Sequence, residues 1–449
     1  MNIILLSGGS GKRLWPLSND IRSKQFIKIF KRTEQDTTPK VTDCNAEYES
    51  MVQRIYRQIK NVDSKAIVTI ATSKSQVSAI HNQLGDDVGI SVEPCRRDTF
   101  AAIALATAYL HDVQGVPEEE AVVVCPVDPY VEESYFSTLQ DMCDAAQSGS
   151  ANLVLMGIKP TYPSEKYGYI KPMEQDGKCG WGFTEKPQTE EAAEYIKQGA
   201  LWNGGVFAYK LNYVLSKSKE LLGTSKYEEL FDGYEKLKKI SFDYAVVEQE
   251  TNIEVLSYSG TWKDLGTWNT LTEAMEGTVI GDGRMNDTCS NTHIINELGI
   301  PVLVMGAKDI VVSASPEGIL VSDKEQSSYI KPYVDAIEQQ IMFAEKSWGS
   351  YRVLDVEEDS LIVKVTLNPE HKMNYHSHEK RDEVWTVISG FGRTIVDGME
   401  QHVRTGDVVA MAAGCKHTVI AGEEGLQLIE VQIGRDISVE DKKKYEWPS

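Results

Sequence analysis

Two groups of residues in this 449-residue chain carry chemistry in their types and spacing. Near the N-terminus, Leu6-Ser7-Gly8-Gly9-Ser10-Gly11-Lys12-Arg13-Leu14 follows directly on the apolar run Met1-Asn2-Ile3-Ile4-Leu5. Glycines at Gly8, Gly9 and Gly11 let backbone N–H groups approach phosphate oxygens closely. Lys12 and Arg13 add positive charge, so the segment reads as an anion cradle entering a helix. The GxxxxGK spacing of a Walker A loop is absent, and so is GxGxxG. Far along the chain, His376, His378, Glu383 and His417 offer three imidazoles and a carboxylate. Such a set can hold a divalent transition metal with positions left open. Five of the eight histidines lie after residue 370, so this is not random scatter.

The elements that must position these residues follow from hydropathy. Short apolar runs, Ala66 to Thr72, Ala121 to Pro126 and Leu153 to Ile158, alternate with helical stretches such as Ala101 to His111. This alternation predicts an α/β domain over residues 1–270, with a Rossmann-like, mostly parallel sheet covered by helices. Asp128 then follows a buried strand, at the end that faces the ligand crevice in open α/β sheets. From Gly277 the texture changes to short β-rich runs, Val302 to Met305 and Asp309 to Val312, predicting a small β-rich domain over 271–330. Ser328 to Ala344 reads as one connecting helix, giving a linker over 331–345. Beyond it, strands at Leu361 to Val365, Val384 to Ile388 and Leu426 to Val431 are separated by turns at Asp397-Gly398 and Thr405-Gly406-Asp407. They predict a small β-barrel of the jelly-roll kind over 346–449.

Composition narrows the partners. The formal net charge is -21, with 41% hydrophobic and 25% charged residues. So negative a chain repels nucleic acid, and an anionic substrate needs a local cluster of cations or a metal. The first apolar run is too short for a signal peptide or a membrane span. Seven cysteines without a CxxC pair point to reduced thiols, and the expected compartment is the cytoplasm. Cys95 and Cys125 read as small buried apolar residues, Met373, Met399 and Met411 as core filler, and Glu118-Glu119-Glu120 as solvated.

The glycine loop continues into Leu14-Trp15-Pro16-Leu17-Ser18 and Arg22-Ser23-Lys24-Gln25-Phe26. Here the sequence resembles the mannose-1-phosphate guanylyltransferase family, whose GGxGxRLWPLS is followed by PKQF; Ser23 replaces the proline. The likeness runs through Glu93-Pro94-Cys95-Arg96-Arg97-Asp98-Thr99, Pro126-Val127-Asp128, Tyr167-Gly168-Tyr169-Ile170, Phe183-Thr184-Glu185-Lys186-Pro187, Trp202-Asn203-Gly204-Gly205, Ser241-Phe242-Asp243-Tyr244 and Trp262-Lys263-Asp264.

The resemblance implies a reaction between a nucleoside triphosphate, GTP favoured, and a sugar 1-phosphate, mannose 1-phosphate favoured. The products would be GDP-mannose, for glycan or polysaccharide assembly, and pyrophosphate. It implies that Asp128 and Asp264 hold Mg²⁺, that Arg13, Lys24 and Lys186 are phosphate cations, and that these five are catalytic. It implies nucleotide contacts from Leu6, Gly8, Gly9, Gly11, Lys12, Arg13, Glu93, Arg97, Thr99 and Asp128. Sugar contacts would come from Tyr167, Gly168, Glu185, Lys186, Asn203 and Gly204. A homodimer is the expected assembly. The family's EPxGRNTAPAI reads here with Arg96, Asp98, Phe100 and Ala101 as replacements, and its LPADH as Cys125-Pro126-Val127-Asp128-Pro129. Those changes fall where base and sugar are sorted, so the same reaction with another base or sugar stays open as an alternative.

The C-terminal segment fits cupin signatures: His376, His378, Glu383 and Gly390, then Gly406, Gly414 and His417, with Ala412 where proline is usual. Lys346-Ser347-Trp348-Gly349-Ser350-Tyr351, with Arg381, Glu383 and Trp385, resembles the phosphomannose isomerase module that ends the longer guanylyltransferases. Zn²⁺ or another divalent transition metal is expected there. Two further readings compete with the transferase. One is a bifunctional enzyme that also isomerises mannose 6-phosphate; the other is a nucleotide-sugar sensor without turnover. The family arginine after His417 is absent, which weighs against the isomerase.

Overall fold

The computed structural model describes residues 1–9, 12–19, 21–32, 47–175, 178–338 and 340–447. It separates into two compact units. One comprises Met1–Ser10, Ser23–Val77 and Leu84–Glu276, the other Gly11–Arg22, Ser78–Gln83 and Gly277–Ser449.

The first unit is built on a nine-stranded mixed sheet with a parallel core. Strand Asn2–Ser7 cannot alternate between wet and dry faces, because Ile3, Ile4 and Leu5 are all fully buried. Such a run is stable only with both faces covered. It pairs in parallel with Ile67–Ser73 on one side and Ala121–Pro126 on the other, and Ile67–Ser73 pairs in parallel with Gly89–Glu93. Helix Asp98–Asp112 covers this sheet with a run of fully buried residues, among them Ile103, Leu105 and Leu110. Each such large side chain contributes roughly 1.5–3 kcal/mol on burial. The sheet turns antiparallel at Leu201–Lys210, which pairs with Ala121–Pro126 and leads to the hairpin of Tyr169–Gln175 and Lys178–Thr184. The α/β class expected from the sequence is the class observed.

In the second unit, short strands His293–Asn296 and Ile310–Ser315 pair in parallel, as do Gly283–Met285 and Val302–Val304. The C-terminal part is a second nine-stranded sheet. It curls on itself because the long strands Asp382–Val396 and His417–Ile433 pair with several partners along their length. This is the barrel that the sequence predicts. Met373 and Met411 fill its core, whereas Met399 is exposed, because it starts the strand that leaves the tight turn at Asp397-Gly398.

The single helix expected from Ser328 to Ala344 does not form. Gln326–Tyr329 is one 3-10 turn, Lys331–Asp335 is a helix with Pro332 in its first turn, and Phe343–Lys346 is a strand. That strand pairs antiparallel with Gly349–Val356, so sheet hydrogen bonds override the local helical pattern.

Candidate active site

The parallel strands of the first unit end side by side, and the candidate residues follow those ends. Leu6 lies opposite Pro126 in register, and Val127 N donates to the Leu6 carbonyl at 3.2 Å. The glycine loop and Asp128 therefore leave neighbouring C-terminal strand ends, where ligands sit in open α/β sheets. Asp128 is followed at once by Pro129–Val131, which pairs antiparallel with Trp262–Asp264 and sets Asp264 opposite Pro129. This two-stranded ribbon brings together two carboxylates that are far apart in sequence.

Lys24 bridges them. Its Nζ lies 2.9 Å from Asp128 Oδ2 and 3.4 Å from Asp264 Oδ1, with its side chain 16% exposed. Burial alone would lower the lysine's pKa; the Asp128 and Asp264 charges outweigh it and raise the ammonium above its ordinary value. Lys24 is therefore a fixed cation. The carboxylates keep 38% and 43% of their side-chain surface exposed, so their oxygens remain open to a cation. Hard oxygen donors of this kind suit Mg²⁺.

Beside the glycine loop is a cavity of about 520 Å³. Leu6, Gly8, Gly9, Glu93 and Thr99, which the resemblance assigns to the nucleotide, line it together with Lys74, Gln76, Cys95, Arg96, Asp98 and Lys239. Glu93 accepts from the Tyr234 hydroxyl at 2.8 Å, and burial raises its carboxyl against the opposing pull of Tyr234 and Arg96. Thr99 Oγ1 accepts from Phe242 N at 2.8 Å, so its hydroxyl also serves the framework. Arg97 is absent from the lining: its guanidinium donates to the Glu235 carbonyl. Arg96 and Asp98 line the cavity instead, and Asp98 has a left-handed φ of 69°. Cys125 is buried, as anticipated, and Cys95 is half-buried. Ser10 and Gly11 lie outside the described residues. Lys12 and Arg13 belong to the second unit, on the turn Lys12–Leu14; Lys12 Nζ pairs there with Asp335 Oδ1 at 3.1 Å, and Arg13 is exposed.

The sugar-side residues gather at the antiparallel hairpin. Lys186 Nζ donates to Glu185 Oε1 at 2.6 Å, and this bond raises the lysine's pKa. Gly168 faces Glu185 so closely that an added Cβ would lie 2.7 Å from Glu185 Oε2, so a side chain here would have to push Glu185 and Phe183 aside. Asn203 N donates to the Gly168 carbonyl at 2.8 Å, and Asn203 Nδ2 donates to Asp243 Oδ1 at 2.6 Å. Gly204 sits in the irregular stretch between Asn203 and Phe207, close to Ile158. Tyr167 packs against Trp202 and Trp262 at ring-centroid distances of 4.9 and 5.3 Å. Burial, Tyr162 and Asp264 push its phenol up. Sequence reasoning did not single out Asp243, which holds the Asn203 side chain. Burial is the main cause raising its carboxyl to about 6, with the Glu185 charge adding to it. A carboxylate three residues into a helix-start pattern carries no local signal of this contact.

In the barrel, His376, His378, Glu383 and His417 converge, each with a ligand atom within 4.8 Å of the others. His376 and His417 lie opposite each other in register, and each Nδ1 is hydrogen-bonded to a backbone carbonyl, of Asn374 and Cys415. That leaves their Nε2 atoms facing inward. His378 Nδ1 is buried without a hydrogen-bond partner, and Glu383 Oε2 and His417 Nε2 lie 3.2 Å apart with no other partner. Burial first, then neighbouring positive charge, lowers His376 to about 2; burial also lowers His378 to about 4. Neutral imidazoles with orphaned nitrogens fit a metal. Arg381, which the sequence left without a role, donates to Glu383 Oε1 at 3.0 Å and lies 3.0 Å from His378 Nε2.

The chain is similar to known proteins along nearly its whole length. The family model described as Nucleotidyl transferase matches residues 2–279, and that described as Mannose-6-phosphate isomerase C-terminal matches residues 335–446. The chain is similar to the mannose-1-phosphate guanylyltransferase of Salmonella montevideo, 26% identical over 483 residues, covering 98% of this chain and 97% of that one. It is also similar to the alginate biosynthesis protein AlgA of Pseudomonas putida, 27% identical over 481 residues, covering 99% and 95%. A crystal structure described as mannose-1-phosphate geranyltransferase from Thermus thermophilus matches with a TM-score of 0.60 and 27% identity, over 74% of this chain and 98% of that one. Among the described residues, no helix is long and apolar enough to cross a membrane.

Proposed function

The chain belongs to the nucleotidyl transferase family, and from that premise we propose that it joins GTP and mannose 1-phosphate to give GDP-mannose and pyrophosphate. The observation that carries this reading is Lys24 held between Asp128 and Asp264, at strand ends beside the glycine loop. The guanylyltransferase name of a relative aligned over nearly the whole chain supports the choice of base and sugar. So does the cavity chemistry. Guanine presents N–H donors on one edge and the O6 and N7 acceptors on another, and the cavity offers Glu93 and Asp98 as acceptors with Arg96 and Lys74 as donors.

In the reaction, a phosphate oxygen of the sugar 1-phosphate forms a bond to the α-phosphorus as the bond from that phosphorus to the bridging oxygen breaks. Pyrophosphate leaves with the electron pair. Little covalent chemistry falls to the protein; in-line positioning and fixed charge do the work. Gly8 and Gly9 line the triphosphate end of the cavity. Lys24 supplies a permanent cation, and Lys186, oriented by Glu185, meets the sugar phosphate. The family resemblance assigns Arg13 to the leaving pyrophosphate. Asn203, tied to Asp243, and Glu185 take sugar hydroxyls. Asp128 and Asp264 would hold Mg²⁺, which when bound neutralises phosphate charge. A grid of nucleoside triphosphates against sugar 1-phosphates, read as pyrophosphate release with Mg²⁺, tests the proposal. A faster rate with another base or another sugar would replace GTP or mannose 1-phosphate accordingly. Triphosphate binding without any release would favour the sensor.

The chain would work in the cytoplasm, where nucleoside triphosphates are available. A homodimer is the assembly we propose, to be checked by light scattering. The barrel would bind Zn²⁺ or another divalent transition metal through His376, His378, Glu383 and His417. A second reading adds isomerisation of mannose 6-phosphate there. It is favoured by Glu430, a carboxyl that burial raises, on the strand opposite Trp385. Such a group is a candidate for proton transfer. A coupled assay of the full chain with Zn²⁺, Co²⁺ or Mn²⁺ decides it; no turnover with any of them removes this reading.

A further inference from the structure

Beneath the glycine loop lies a buried polar network. Gln76 Oε1 accepts from Thr72 Oγ1 at 2.8 Å, from Ser7 Oγ at 3.0 Å and from Gln25 Nε2 at 3.3 Å. Gln76 Nε2 donates to Ser23 Oγ at 2.7 Å, and Ser23 Oγ donates to the Gly9 carbonyl at 3.1 Å. Ser7, Ser23, Gln25, Thr72 and Gln76 are each no more than 2% exposed. Five buried polar side chains in an otherwise apolar sheet would cost stability unless mutually satisfied. Their bonds converge on the Gln76 side chain, and one of them continues through Ser23 to the Gly9 carbonyl.

Two features make the Ser23 hydroxyl more than a turn residue. Its backbone, at φ -72° and ψ 164°, is the conformation a proline adopts, so the turn before Lys24-Gln25-Phe26 does not require serine. And Gly9, at φ 106°, has no side chain to hold its orientation. Without the Ser23 bond, only its own torsions would direct its carbonyl. The same network grips Gln25, next to Lys24, and so ties the loop to the turn that carries the bridging cation.

We propose that the Ser23–Gln76 pair is a positioning device that sets the glycine loop and the Lys24 turn in one register for the triphosphate. The proposal rests on the nucleotidyl-transfer reading of this site. Neither side chain needs to touch the reacting atoms. Ser23 and Gln76 act through Gly9 and Gln25, so their loss weakens the handling of the triphosphate and leaves that of the sugar phosphate alone.

The test compares full-length wild type with Ser23→Ala, Gln76→Leu, the double variant and Ser23→Thr. Steady-state pyrophosphate release with GTP and mannose 1-phosphate is read alongside amide hydrogen exchange of the segment Leu6–Gly9. Ser23→Ala is expected to raise the KM for GTP about tenfold, the scale of one net hydrogen bond with a buried partner left unpaired. The KM for mannose 1-phosphate stays within about twofold, and exchange in the loop segment speeds up. The double variant is expected to match the worse single variant, because both remove one chain of bonds. Ser23→Thr restores the GTP KM. Unchanged GTP KM and unchanged loop exchange in Ser23→Ala would overturn the proposal. So would equal losses for both substrates, or additive effects in the double variant. If wild type releases no pyrophosphate with any triphosphate, the functional reading fails. Loop exchange then still decides the structural part: faster exchange in Ser23→Ala retains the tether, and unchanged exchange refutes it.

Discussion

Asp128 and Asp264 keep 38% and 43% of their side-chain surface exposed and share the Lys24 ammonium, whereas His378, Glu383 and His417 are 2–3% exposed, with His378 Nε2 and His417 Nε2 each 3.2 Å from a Glu383 oxygen. The first site is a charge-balanced, open arrangement: two anions, one resident cation, and room for more. It suits a hard ion that arrives with phosphate oxygens and leaves with them. The second is closed: burial holds His376 and His378 below the ordinary imidazole range, and His378 Nδ1 is buried without a hydrogen-bond partner. It suits a resident metal. The same chain thus contains an open carboxylate pair around a lysine and a buried cluster of three histidines and a glutamate. Different single substitutions should disable each without the other.

The largest effect is expected from Lys24→Ala. It removes the only cation seen within ion-pair distance of both carboxylates among the described residues. The kcat for pyrophosphate release should fall about 100- to 1,000-fold, the size seen when one preorganised transition-state contact is lost. Metal bound in the barrel, measured by elemental analysis, should be unchanged. The converse variant, His417→Ala, should strip that metal while leaving the transfer rate within about twofold, since a closed transition-metal site depends on each ligand. A parallel fall in both quantities for either variant would break the contrast.

A smaller, pH-dependent effect belongs to Asp243. Its carboxyl is raised to about 6, mainly by burial, so it takes up a proton as pH falls through that value. Protonated, it is a poorer acceptor for Asn203 Nδ2. The KM for mannose 1-phosphate should then rise several-fold more between pH 7 and pH 5 in wild type than in Asp243→Asn. Unfolding does not explain the change. An acid whose folded pKa lies above its unfolded value binds more protons when folded, so this group favours the folded state as pH drops from about 6 toward 3.8. The smallest effect separates two adjacent arginines. Arg96→Ala should raise the KM for GTP about three- to tenfold, as expected for one charge-assisted contact. Arg97→Ala, whose guanidinium is spent on the Glu235 carbonyl, should change it less than about twofold.

What was legible in the sequence followed local rules. A strand interrupted by glycines announced the loop, a carboxylate at the end of an apolar run announced Asp128, and paired histidines announced the barrel cluster. What was not legible depended on partners far away. That Lys24 bridges both carboxylates requires the ribbon of Pro129–Val131 and Trp262–Asp264, a pairing across more than a hundred residues. That Arg97 turns from the cavity while Arg96 lines it depends on the Glu235 carbonyl, which no local pattern reveals. The helix expected over Ser328 to Ala344 gives way at Phe343 and Ala344 to a hairpin with Gly349–Val356. Ser23 looked like a loss of the family proline, and only the network around Gln76 gives its hydroxyl a purpose.

The most direct measurement is pyrophosphate release by the full-length chain with GTP, mannose 1-phosphate and Mg²⁺, for wild type and for Asp264→Asn, which keeps the side chain's shape and removes its charge. The account predicts release that requires both substrates in wild type and a fall of at least about 100-fold in the variant. Equal rates in the two proteins would contradict it, because the carboxylate pair around Lys24 would then not be the site of transfer.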